Sequence, residues 1–140
     1  MKLSDPLVLR LVFDTAALVL IWLVQLVIYP AYAYYPNADF RRWHPVYTRR
    51  VTLVVMPIML GQVAVYLYAL WCCPTWDVWT NASLISTVWA VTFFGAVPLH
   101  GKLDQAENHL PPSTQLQRVN TSRTVLWTTV WVLTLLVALQ

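Results

Sequence analysis

Charge is what this sequence lacks over most of its length. Residues 51–71 (VTLVVMPIMLGQVAVYLYALW) hold no ionisable acid or base except tyrosine, and residues 78–99 and 124–139 hold none at all. Residues 11–30 carry a single charge, Asp14. A helix needs roughly 20 apolar residues to cross a bilayer. A soluble domain of this size would leave some of these stretches in water, so the 59% hydrophobic content and the mean hydropathy of +0.57 call for lipid. Strands of a membrane barrel alternate in polarity and run about 10 residues, whereas these stretches are continuous and longer. The expected fold is all-α: an integral membrane four-helix bundle, up-down-up-down. It forms a single transmembrane domain over residues 1–140, with helices near 7–32, 46–71, 78–100 and 116–139.

Other absences narrow the function. The only cysteines, Cys72 and Cys73, are adjacent, which excludes a disulfide framework. No C-x-x-C occurs, so a quinone reductase of the vitamin K type is a poor fit. There is no H-E-x-x-H, G-x-S-x-G or phosphate-binding P-loop. The net charge of +3 is spread by membrane side, not gathered on a soluble face, so nucleic acid is not an expected partner. Ala31-Tyr32-Ala33 mimics a signal-peptidase site, but the apolar run before it is too long and Asp5 and Asp14 stand where a basic region belongs. The first stretch is therefore read as a retained helix.

The basic residues give an orientation. Four spans put Lys2 and Arg10 on one side and Arg41, Arg42, Arg49, Arg50, Lys102, Arg118 and Arg123 on the other. The bias predicts that the loops holding these seven face the cytoplasm, with both termini outside, as for a bacterial inner-membrane protein. Trp71, Trp76 and Trp79 then make an outer interfacial belt. Arg10 and Asp14, four residues apart, read as a helix-start ion pair.

The polar residues gather in one layer. His44, His100 and His109, with Asp104, Glu107, Asn120 and Arg123, fall on the arginine-rich side from three different segments. Ionisable groups at membrane depth are expensive, and such a layer is a site by default. His44 and His100 are candidate acid–base groups or ligands, and Asn120 and Arg123 candidates to position a carbonyl or oxyanion. His100, Asp104 and Glu107 share a helix face and could ligate a metal, although the same segment reads as a solvated helix end. A pair of histidines from two helices is also compatible with haem. His109, beside Pro111-Pro112, reads as exposed. Gln25 and Gln62 are mid-span amides suited to interhelical bonding or to lining a pocket. Trp22, Trp89, Trp127 and Trp131 lie deep, either packing the bundle or walling an aromatic site.

Leu116, Asn120, Arg123, Thr124 and Trp127 form one pattern; His44 with Pro57, Met59 and Gln62, and Pro98 with His100, form others. In layout the chain resembles a group of uncharacterised bacterial four-helix membrane proteins. That group is distantly similar to anthrone-oxygenase-like membrane proteins, which share an Asn-x-x-Arg start to the last helix. The resemblance implies an oxidoreductase or oxygenase acting on a lipophilic aromatic molecule, without a metal or flavin. It also implies a glutamate where this chain has Gln62, so no carboxylate role is carried over there.

Three readings follow. The first is a membrane enzyme or binder with a cytoplasmic-leaflet pocket for a lipophilic small molecule; a metal- or haem-binding protein is its variant. The second is a non-catalytic accessory subunit packed in the bilayer against other membrane subunits or as a homo-oligomer. The third, a channel or transporter, lacks a polar stripe along any span. No motif requires a particular cofactor.

Overall fold

The structure, a computed structural model, describes residues 5–140. Four long helices account for nearly all of it: α1 (Pro6–Tyr34), α2 (Asn37–Cys72), α3 (Trp76–Gln105) and α4 (Leu110–Ala138). Each is long and apolar enough to span a membrane, and the described residues contain no strand. The protein is an all-α, up-down-up-down four-helix bundle of the integral membrane class. Each helix packs on its two neighbours, α1 against α2 and α4, and α3 against α2 and α4.

Local chemistry sets the helix ends. Asp5 Oδ1 accepts the Leu7 N–H at 3.0 Å, and Pro6 occupies the first position, where no amide proton is needed. The α2 helix begins at Asn37, not near residue 46, because the segment from Phe40 to Arg50 is continuous with the span. Its 36 residues reach about 54 Å, well beyond a hydrocarbon core of about 30 Å. Its first turns therefore project past the apolar layer and carry exposed Arg41, Arg42, Arg49 and Arg50. The α4 helix likewise starts at Leu110, with Pro111 in its first turn, and Ser113 lies inside it.

Two wide turns matter most for the site. Buried residues of α1 fall at 10, 14, 17, 21 and 24, then jump five to Tyr29 before resuming at Tyr32. The jump is a π turn over Val24–Ile28, closed by the Tyr29 N–H on the Val24 carbonyl. The α3 helix has a matching π turn over Thr92–Ala96, closed by the Val97 N–H on the Thr92 carbonyl. A proline follows each, Pro30 and Pro98, whose ring would crowd the carbonyl four residues back. A widened turn ahead of it relieves that contact and adds one residue to the register. Tyr29 and His100 both stand just beyond such a turn.

The half of the bundle nearest the termini is locked by buried charge. Asp14, 1% exposed, accepts hydrogen bonds from Gln62 Nε2, Tyr66 Oη and Thr134 Oγ1, each at 2.7 Å. Asn81 Nδ2 reaches Thr134 Oγ1 (2.9 Å) and Tyr66 Oη (3.1 Å), so all four helices meet in one network. Arg10 does not pair with Asp14. Its Nη2 binds Asp77 Oδ2 on α3 at 2.7 Å, with the guanidinium 5.2 Å from the Tyr66 ring centre. The i,i+4 reading fails because both side chains point into the bundle, where stronger partners wait.

At Gly61 α2 comes close to α1: a Cβ there would land inside the Phe13 ring. Gly61→Ala is therefore expected to lower stability by about 1–2 kcal/mol, because the ring must swing out of its packing. Unfolding titrations in detergent check this. Phe13→Ala should remove most of the penalty from the double variant, and an undiminished penalty would point to another cause.

Candidate functional site

The histidine end is built on stacked rings. Phe40 lies between His109 (centroids 4.0 Å, 7°) and His44 (5.0 Å, 21°), and Trp43 stacks between Tyr35 (4.7 Å) and Tyr47 (4.8 Å). His109 is not exposed. It is 2% accessible, its Nε2 lies 2.8 Å from the Tyr32 carbonyl, and its Nδ1 lies 2.6 Å from Asn37 Oδ1. It latches the α3–α4 loop onto α1 and α2, a role its place beside two prolines did not suggest.

His44, fully buried, anchors the centre. Its Nδ1 meets Asp104 Oδ1 at 2.6 Å and its Nε2 meets His100 Nδ1 at 3.1 Å. His100 Nε2 continues to Tyr29 Oη, also at 3.1 Å. Three helices thus contribute to one unbranched row: Asp104, His44, His100, Tyr29.

Beside the row lies a cavity of about 310 Å³ between α1, α2, α3 and α4. Its walls are mainly apolar, among them Val51, Val55, Met59 and Phe93. Tyr29, Tyr47, His100 and Arg123 supply polar atoms at the histidine end, and Trp89 and Trp127 flank it. Arg123 Nη1 donates to Asn120 Oδ1 at 3.2 Å, and its guanidinium sits 5.2 Å from the Trp127 ring centre. Asn120 in turn donates to Gln25 Oε1 at 2.8 Å, and Gln25 Nε2 donates to Thr121 Oγ1 at 3.1 Å. Two buried donors of cavity-lining residues, Arg123 Nε and Trp89 Nε1, have no protein partner. Such donors ordinarily find one.

Of the four residues expected to converge, His100 and Arg123 line the cavity. His44 and Asn120 stand behind them and hold them in place. The residues of the metal reading, His100, Asp104 and Glu107, do not form one group. His44 bonds to both His100 and Asp104, while Glu107 lies past the end of α3, exposed and without a bond to either. Among the described residues no three His, Cys, Asp or Glu side chains are grouped to hold a metal ion. For the haem reading, His44 Nε2 and His100 Nδ1 face each other directly across a hydrogen bond of 3.1 Å. Gln62 and Gln25 are interhelical bonds rather than cavity walls: Gln62 Oε1 accepts from Trp127 Nε1 at 3.0 Å. Trp22 and Trp131 pack similarly, donating to Thr128 and Thr15. Sequence reasoning missed Tyr29 and Tyr47; tyrosine is common near membrane interfaces, and nothing in its spacing set these two apart.

Comparison with known proteins adds no relative: no family model matches the chain, and no curated protein or solved structure matches it. Fold and site define an integral membrane four-helix bundle with a cavity inside it, apolar except at one end.

Proposed function

We propose that the protein binds and acts on a lipophilic aromatic molecule carrying carbonyl or hydroxyl oxygen, as an oxidoreductase or oxygenase of the membrane. The observation that carries this is a cavity walled mainly by apolar side chains, with Tyr29, Tyr47, His100 and Arg123 gathered at one end. Apolar walls with a few convergent polar groups are what a small lipophilic ligand requires. Oxygen acceptors on that ligand would pair with the Arg123 guanidinium, and the flanking indoles would stack against its rings. The Asn-x-x-Arg start of the last helix, the basis of the resemblance to anthrone-oxygenase-like proteins, supports the same class: here Asn120 orients the Arg123 guanidinium.

The orientation proposed is with the histidine end in the cytoplasm. Arg41, Arg42, Arg49, Arg50, Lys102 and Arg118 are all exposed there, whereas Arg10 at the opposite end is buried in its pair with Asp77.

Menadione, a compact aromatic dicarbonyl, is a direct probe. Added to the purified protein in lipid nanodiscs, it should quench tryptophan fluorescence saturably at about one molecule per chain. Native mass spectra should show the same adduct. Purely linear quenching with no adduct would remove this reading and leave the accessory-subunit alternative.

A further inference from the structure

The row from Asp104 to Tyr29 has a direction. As a carboxylate, Asp104 can only accept, so the proton at its contact belongs to His44 Nδ1. A neutral His44 then has a bare Nε2, which must accept from His100 Nδ1–H. His100 Nε2 is bare in turn, and the Tyr29 hydroxyl donates to it. With Asp104 ionised and His44 neutral, every proton in the row points away from the cavity. The two ends differ in their surroundings. Tyr29 is 3% exposed and lines the cavity, His44 is wholly buried, and the Asp104 side chain is 39% exposed. Phe40 stacked on His44, and Tyr32 edge-on to it at 5.7 Å, hold that ring still and keep water from its faces. Arg123 and Tyr47 are the other ionisable side chains on the cavity wall, and Arg123 is its only cation.

We propose that Tyr29, His100, His44 and Asp104 form a base relay that withdraws a proton from an acidic hydroxyl of the cavity ligand and passes it to the membrane surface. This rests on the ligand-binding reading above and narrows it to ligands with a phenol- or enol-type O–H. With its own proton committed to His100, Tyr29 Oη is left as an acceptor toward the cavity. When the ligand O–H breaks, its proton joins Tyr29 Oη. The Tyr29 proton moves to His100 Nε2, the His100 Nδ1 proton to His44 Nε2, and the His44 Nδ1 proton to Asp104. The products are a ligand oxyanion and a neutral Asp104, with both imidazoles still neutral and their tautomers reversed. No charge is left on the buried rings, where desolvation would oppose it. The oxyanion forms beside the Arg123 guanidinium, and Asp104 exchanges its proton with water. The row resets when a proton returns by the same path.

Two measurements test this. In the ligand-free protein, ¹⁵N-histidine spectra in lipid bilayers should show both His44 and His100 protonated at Nδ1 and bare at Nε2. Nε2–H on either ring overturns the relay. The second uses 2-naphthol, which becomes a strong acid on excitation and whose neutral and ionised forms emit at different wavelengths. Bound to the wild-type protein at neutral pH and excited, it should hand its proton to the row and emit from the naphtholate. In Asp104→Leu the naphtholate-to-naphthol ratio of the bound probe should fall about tenfold, and Asp104→Glu should restore it. The ratio does not depend on how much probe binds, and an unchanged ratio overturns the relay. If 2-naphthol does not bind saturably, the ligand reading fails, and the histidine spectra alone decide whether the relay exists.

Discussion

Asp14→Ala should unfold the bundle more easily by about 3–5 kcal/mol, a large effect for a single truncation. The substitution removes one acceptor that serves Gln62, Tyr66 and Thr134, and each buried donor left alone costs about 1–3 kcal/mol. It also removes the carboxylate bonded to the Tyr66 hydroxyl, over whose ring Arg10 lies. Asp14→Asn should cost less, since its carbonyl can still accept from Gln62 while Thr134 turns to the Val130 carbonyl, already 3.1 Å away. Equilibrium unfolding in bicelles measures both variants. An exposed i,i+4 pair with Arg10 would give a change of only about 0.2–0.5 kcal/mol, so a small effect would restore that simpler account.

Arg123→Lys should weaken menadione binding nearly as much as Arg123→Ala, each by about thirtyfold, while both proteins reach the membrane and fold. Charge-assisted hydrogen bonds in a dry site are worth about 1.5–3 kcal/mol, which sets that scale. The guanidinium is held at two points, by Asn120 Oδ1 and over the Trp127 ring, and lines the cavity, where it would meet a ligand oxygen. A lysine ammonium can take one of these places but not all three, because its donors radiate from a single atom. If Arg123 merely snorkelled toward lipid phosphate, lysine would replace it freely. A silent lysine variant in a fluorescence titration with menadione would therefore take Arg123 out of the site.

The fold was legible because its cause is simple. Charge-free stretches of bilayer length have few other uses, and each became a helix. His44, His100, Asn120 and Arg123 were legible as a layer, since topology brings their segments to one depth without any knowledge of packing. What stayed hidden depends on rotation about a helix axis. Tyr29 reaches the cavity only because the π turn at Val24–Ile28 inserts a residue into the register, and a periodic reading of α1 carries no trace of that step. Asp14 looked like a surface charge because Arg10 stands one turn away, and only the bundle shows that Asp77 and Gln62 bind these two side chains more directly. His109 looked like a loop residue because the partners that bury it, Tyr32, Asn37 and Phe40, are far away in sequence.

The polar cluster around Asp14 also bears on how the chain is made. Its members come from all four helices. Asp14 and Arg10 lie on α1, Gln62 and Tyr66 on α2, Asp77 and Asn81 on α3, and Thr134 on α4, so they are synthesised in that order. Before α2 and α3 are in place, α1 holds a carboxylate and a guanidinium that lipid solvates poorly. A lone α1 therefore gains from staying near the water boundary until these partners arrive. Insertion of this bundle is thus expected to be cooperative, each helix completing polar groups of those before it.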